Sequence, residues 1–194
     1  MPKGKIIIIS GPSGSGKTTL HKKLLASKKL RAKLVKSISA TTRPRRSGEK
    51  NGRDYLFLTL KQFLDKIRKG YFLEWQKVFE YYYGTPRNYV EKLLKKDKNV
   101  LLCIDVKGAA VVRRAWPEAV TIFIKAPSLP VLKKRLMARG SESKEDLRLR
   151  LKTARQELLE AKKYKHIIVN DDLRRSLKEM ESVVSLEIDN HRNM

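Results

Sequence analysis

The sequence predicts an α/β fold, with a mostly parallel sheet sandwiched between helices in three layers. Strand-like runs at 5–10, 34–40, 99–106, 120–126 and 166–170 alternate with helical patterns at 17–27, 89–96, 108–115, 129–138, 144–164 and 173–191. Such alternation builds strand–helix–strand units whose crossover helices cover both faces of a parallel sheet. The first strand contains Ile6, Ile7, Ile8 and Ile9, a β-branched run suited to burial on both sides. Between that strand and the first helix, Gly11 to Thr18 fits G-x-x-x-x-G-K-[ST], the phosphate-binding loop of a strand–turn–helix unit.

Bulk properties bound the rest. A chain of 194 residues holds one α/β domain with a real core. No apolar run approaches membrane-spanning length, and the start, Met1-Pro2-Lys3-Gly4-Lys5, does not read as a secretory signal. Cys103 is the single cysteine, so no disulfide forms within this sequence, and a soluble cytoplasmic protein is expected. The net charge is +25, and no Asp or Glu precedes Glu49. That excess fits nucleic-acid binding, polyanionic small substrates, or simply lysine-rich solvated faces, and the last accounts for most of it. His21, His166 and His191 form no pair with metal-ligand spacing, and no Ser/His/Asp or Cys/His arrangement stands out, which leaves a nucleophilic hydrolase unsupported.

In chain order, the phosphate loop comes first. Its glycines let backbone N–H groups turn inward around phosphate oxygens, and the helix start adds a partial positive charge. Lys17 is placed to reach the β- and γ-phosphates, and the Thr18 hydroxyl to hold Mg²⁺. Residues 41–83 then break the alternation, with a short strand at 55–58 and a helix at 61–69, which reads as an insertion into the parallel sheet. Asp105 ends a buried strand beside the loop, the usual second element of such nucleotide sites. Gly140-Ser141-Glu142-Ser143 joins two arginine-bearing helices and is a candidate moving element, with Ser143 and Asp146 spaced as a capping box. Asp171 and Asp172 are placed to cap the last helix.

Several stretches together carry a resemblance. Ser39-Ala40-Thr41-Thr42-Arg43-Pro44-Arg45-Arg46-Ser47-Gly48-Glu49-Lys50-Asn51-Gly52-Arg53-Asp54-Tyr55 supplies planar guanidinium forks at Arg43 and Arg46 and a phenol at Tyr55, a set suited to a phosphate monoester. Phe72-Leu73-Glu74-Trp75, Tyr83-Gly84-Thr85, Leu101-Leu102-Cys103-Ile104-Asp105, the run from Leu132 through Arg135 and Arg139 to Gly140 with Arg150 downstream, and Ile167 to Leu173 follow in order. With the phosphate loop, these resemble the guanylate kinase family over nearly the whole chain, from Lys5 to Leu177. Two positions depart from the family pattern. Pro44 stands one place before the usual proline, and Cys103 stands where the family has the first of two aspartates.

The resemblance implies transfer of the ATP γ-phosphoryl group to GMP, with Mg²⁺ as cofactor. It implies an ATP site of Gly11, Pro12, Ser13, Gly14, Ser15, Gly16, Lys17, Thr18 and Thr19 with Arg135, Arg139 and Asn170, the last pairing with an adenine edge. It implies a GMP site of Ser39, Arg43, Arg46, Tyr55, Glu74, Tyr83, Thr85 and Asp105. Catalysis would rest on Lys17, Arg43, Arg135, Arg139 and Arg150, and metal binding on Thr18, with Asp105 a second candidate. The expected division is a core of about 1–38, 86–135 and 156–194, a small α+β GMP-binding insertion of about 39–85, and a helical lid of about 136–155. A monomer or homodimer is expected, with ATP and GMP as partners and no membrane. A family-like binding module without strong catalysis, a kinase for another monophosphate such as dGMP, and weak nucleic-acid binding by the basic surface stay open as alternatives.

Overall fold

The structure is a computed structural model and describes residues 4–138 and 144–192. Five parallel strands form the main sheet in the order β2-β7-β1-β8-β9: β1 (Ile6–Ser10), β2 (Leu34–Lys36), β7 (Asn99–Cys103), β8 (Val120–Lys125) and β9 (His166–Val169). The isoleucine run explains itself in the sheet's centre. Ile6 and Ile8 point to one face, with Leu102, Phe123 and Val112. Ile7 and Ile9 point to the other, with Leu20, Leu24, Met180 and Val184 from α1 (Lys17–Ala26) and α7 (Leu173–Arg192). Alternating side chains of one strand thus feed two cores.

The expected strand at 34–40 divides between two sheets. After β2 the chain turns away at Ser37, whose N–H still donates to Leu101 O at 3.1 Å, and resumes as β3 (Ala40–Thr41) in a second, four-stranded sheet. That sheet has the order β4-β3-β6-β5, with β4 (Leu56–Phe57), β5 (Phe72–Val78) and β6 (Tyr81–Pro86). One strand-like run therefore serves two cores, since Ala40 packs with Phe63 and Phe72 rather than with the main sheet. Phe63 comes from α2 (Leu60–Arg68), which starts with a full capping box between Thr59 and Gln62. The β5–β6 hairpin is absent from the sequence reading. Its two-residue turn, Phe79-Glu80, lacks the Gly or Asn that marks such turns.

Three further helices, α3 (Arg87–Leu94), α4 (Val106–Ala115) and α5 (Leu129–Met137), follow their strands as expected. The long pattern at 144–164 resolves into α6 (Lys144–Leu159) and a 3₁₀ turn at Glu160–Lys163. Asp172 caps α7, its Oδ1 accepting from Arg175 N at 2.8 Å, while Asp171 instead pairs with the Arg175 guanidinium. The Ser143 half of the expected capping box lies outside the described residues. No helix among the described residues is long and apolar enough to cross a membrane.

Candidate active site

The phosphate loop takes the shape its sequence dictates. Gly11, Gly14 and Gly16 have φ of 141°, 84° and 92°, a region that favours glycine. A Cβ on Gly11 would lie 2.1 Å from Ile124 O, and one on Gly16 would lie 2.1 Å from Asn170 Nδ2. Gly16 is the N-cap of α1, no side chain caps that helix, and its first turn carries no acidic residue. The first N–H groups of α1 are thus left for an anion. Lys17 Nζ donates to Pro12 O at 3.1 Å, folding back over the loop. Asn170 is buried and its Nδ2 donates to Ser15 O at 2.8 Å. Arg135 of α5 donates through Nη2 to Asn170 O at 2.9 Å, and its buried Nη1 makes no hydrogen bond among the described residues. Arg139 lies outside the described residues.

Across the cleft, the second sheet presents the other predicted residues. Arg43 is buried and its Nη2 meets both Glu49 oxygens, at 2.8 and 3.0 Å, while Nη1 donates to Pro44 O at 2.6 Å. Its guanidinium lies 5.6 Å from the Tyr55 ring centroid, and Tyr55 and Tyr83 sit edge to face at 6.3 Å. Burial pushes the Tyr55 phenol up to about 12, so it stays a hydrogen-bond donor. Arg46 is exposed and Ser39 half-buried.

Glu74 is the most constrained side chain of this half. It is 5% exposed, and its Oε1 accepts from Thr85 Oγ1 at 2.6 Å. Burial raises its pKa to about 7; the Thr85 bond opposes that shift and the nearby Asp105 adds to it. Asp105 joins the halves by capping α4, its Oδ1 accepting from Gly108 N at 2.8 Å. The helix that follows packs against β5, and a Cβ on Gly108 would lie 2.5 Å from Glu74 Oε2. Gly108, the last position of the family pattern that runs through Asp105 but given no role from sequence, is thus placed against Glu74.

Glu157 and Lys36 emerge only in three dimensions. Glu157 lies on α6 seven residues after Arg150, on the same helix face, and within electrostatic reach of Lys17 and Asp105. Burial raises its pKa to about 7, with Lys17 opposing and Asp105 reinforcing. Cys103 closes the floor beside Lys17 and Thr18, where burial holds its thiol above the usual range. Lys36 ties the sheets together, its Nζ donating to Arg53 O and Asp54 O, both at 3.1 Å.

These groups set a cationic loop with Arg135 on one side and a buried carboxylate with basic and phenolic groups on the other, joined through Asp105. Comparison with known proteins agrees with that arrangement. The guanylate kinase family model matches residues 3–187. Guanylate kinase of Caldanaerobacter subterraneus subsp. tengcongensis is 42% identical over 185 residues, covering 95% of this chain and 88% of its own. That of Rubrobacter xylanophilus is 44% identical over 180 residues, with 93% of each chain covered. The crystal structure of guanylate kinase from Anaplasma phagocytophilum superposes with a TM-score of 0.78 at 32% identity, over 96% of this chain and 87% of that one.

Proposed function

Because the chain belongs to the guanylate kinase family, whose members move a phosphoryl group from ATP to GMP, we propose a specific division of labour in its cleft. The observation that carries it is the buried Glu74, held by Thr85 and abutting Gly108. Guanine presents its N1–H and 2-amino group side by side, and one ionised carboxylate accepts from both. Adenine lacks that donor pair and would leave the buried acid unsatisfied. Thr85 and Ser39 supply further polar contacts to the base, with Asp105 at its edge. Arg43, oriented by Glu49, and the exposed Arg46 take the GMP phosphate, with Tyr55 and Tyr83 donating to it.

On the ATP side, the N–H groups of Gly11 to Thr19 cradle the phosphates, and Lys17 leaves Pro12 O to meet the β- and γ-oxygens. Arg135, Arg150 and Arg139, the last outside the described residues, neutralise charge on the group in transfer. Asn170, expected at the adenine edge, also supports the loop. Its amide is buried against Ser15 O, so it braces the loop. The donors present fit Mg²⁺: Thr18 offers a hydroxyl and Asp105 a carboxylate, and no three-residue protein cage exists among the described residues. That matches an ion completed by substrate phosphates and water. Held by Thr18 and Asp105, Mg²⁺ would supply electrostatic neutralisation of phosphate charge during transfer. No covalent intermediate is needed, since a GMP phosphate oxygen is already a nucleophile, so the chain's residues orient, neutralise and exclude water.

In this reading, residues 39–85 are the GMP-binding insertion, 136–155 the lid, and the remainder the core. The protein works in the cytoplasm, where Cys103 stays reduced, as a monomer or homodimer. The test is ADP release from ATP with GMP, dGMP, AMP, CMP or UMP, with and without Mg²⁺. GMP-dependent, Mg²⁺-dependent turnover is expected, and its absence would refute the reading. Equal rates with AMP would remove Glu74 from base selection.

A further inference from the structure

The tip of the β5–β6 hairpin carries an arrangement that the division of labour above leaves unexplained. Phe79 has φ of 55°, in the left-handed region, where a bulky residue is a rare outlier. It occupies the first position of a two-residue turn, where glycine or asparagine relieves that conformation. The ring is also 37% exposed, so burial does not explain its presence. What it does touch is Arg150 of α6, whose guanidinium carbon lies 4.2 Å from the ring centroid. Among the described cation–ring contacts, this one joins the hairpin, on the GMP side, to the helix that carries a phosphate-neutralising arginine on the ATP side.

A strained, exposed aromatic whose face holds a functional cation is a local cost offset by a specific contact. The contact forms only when hairpin and α6 approach each other, so it favours the state in which both halves of the cleft are assembled. Resting on the guanylate kinase reading, we infer that Phe79 is a positioning residue that seats Arg150 and thereby couples the binding of GMP to that of ATP. GMP holds the hairpin in this position, the ring keeps its place against Arg150, and Arg150 is presented to the phosphates. By reciprocity, ATP that engages Arg150 strengthens GMP binding by the same factor.

The test is a set of binding measurements that need no turnover. Calorimetry gives the Kd for GMP alone and with a non-hydrolysable ATP analogue and Mg²⁺, and the Kd for the analogue alone and with GMP. The ratio of the two GMP values is the coupling factor. Phe79→Gly and Phe79→Asn suit the backbone better than phenylalanine does, so a purely structural role predicts equal or higher melting temperature and unchanged coupling. Our inference predicts that both variants keep each separate Kd and lose about two- to five-fold of the coupling factor. Phe79→Leu, apolar but without a ring face, should lose it too, whereas Phe79→Tyr and Phe79→Trp should retain it. In an Arg150→Ala background, Phe79→Gly should change coupling no further. Wild-type coupling in the Gly, Asn or Leu variant would overturn the inference, as would loss in the Tyr and Trp variants with melting temperatures intact. If one variant fails to fold, the remaining ones decide the question by the same criteria. A wild-type protein that binds no GMP at all would refute the family reading instead, which keeps the two failures distinct.

Discussion

Glu74 meets two opposed demands at a single side chain. Under the proposed division of labour, guanine recognition needs its ionised form, while burial favours the neutral one and raises its pKa to about 7. GMP binding should therefore release a proton near pH 6, and the Kd should tighten as pH rises toward 7 and then level. Calorimetry in buffers of different ionisation heat measures that proton directly. The sign for stability is the reverse. A folded pKa above the ordinary carboxylate value means that the native state holds its proton longer, so stability falls as pH climbs from about 4.5 to 7. Glu74→Gln should remove that slope and melt higher at pH 8, yet lower kcat/KM for GMP by ~10³-fold. Gly108→Ala tests the neighbouring constraint. Helix propensity favours alanine by about 1 kcal/mol, but its Cβ would sit 2.5 Å from the Glu74 carboxylate. We expect a folded protein whose KM for GMP rises about ten-fold or more, from steady-state kinetics. Why Gly108 must be glycine is invisible in sequence, because what it must avoid lies 34 positions away on β5.

At the level of elements, the phosphate loop stays in shape because neighbours hold it. Asn170, at the end of β9, ties Ser15 O, and Arg135 ties Asn170 in turn. Removing the first tie by Asn170→Ala leaves a buried carbonyl unsatisfied, a loss of about 1–3 kcal/mol. The KM for ATP should rise several-fold while that for GMP stays within two-fold, as initial rates at varied nucleotide would show. Helix α7 is pinned differently. Its buried Glu187 accepts from Lys165 Nζ and lies 2.7 Å from His166 Nε2. Against the cost of burial, bonds to Lys165 and His166 hold this carboxyl below its usual range. Its contribution is thus present above the unfolded carboxylate pKa and fades as pH falls. Glu187→Ala should cost about 1 kcal/mol in urea unfolding and leave turnover intact. Elements with a strong local signal were legible in sequence: the isoleucine strand, the helix at 61–69, the loop glycines. The β5–β6 hairpin was not, because Phe79 occupies the turn position that a glycine would have signalled.

For the whole molecule, a net charge of +25 meets substrates that are both polyanions. Electrostatic focusing raises encounter rates at low salt, so kcat/KM for both nucleotides should fall several-fold between about 0.05 and 0.5 M NaCl, more steeply than kcat. The two-sheet architecture itself was only half legible. Alternation of strands and helices revealed the parallel sheet, whereas the division of 34–40 between two cores depends on which partner Ala40 packs against. That division has a mechanical consequence. The second sheet joins the first through the short passage at Ser37–Ser39 and again where β6 ends at Pro86, with the Lys36 tether beside the former. The seven residues of β5 extend about 24 Å from that pivot to the hairpin tip. As a rigid arm, this sheet magnifies rotation at its base into travel at its end, about 0.4 Å for each degree over that length. A turn of ten degrees sweeps Phe79 through about 4 Å, comparable to the 4.2 Å that separates its ring from the Arg150 guanidinium. Any such rotation would be resisted at once by the passage at 37–39, the Pro86 junction, the Lys36 tether and the packing of α4 on β5, which together set how finely the far end is aimed.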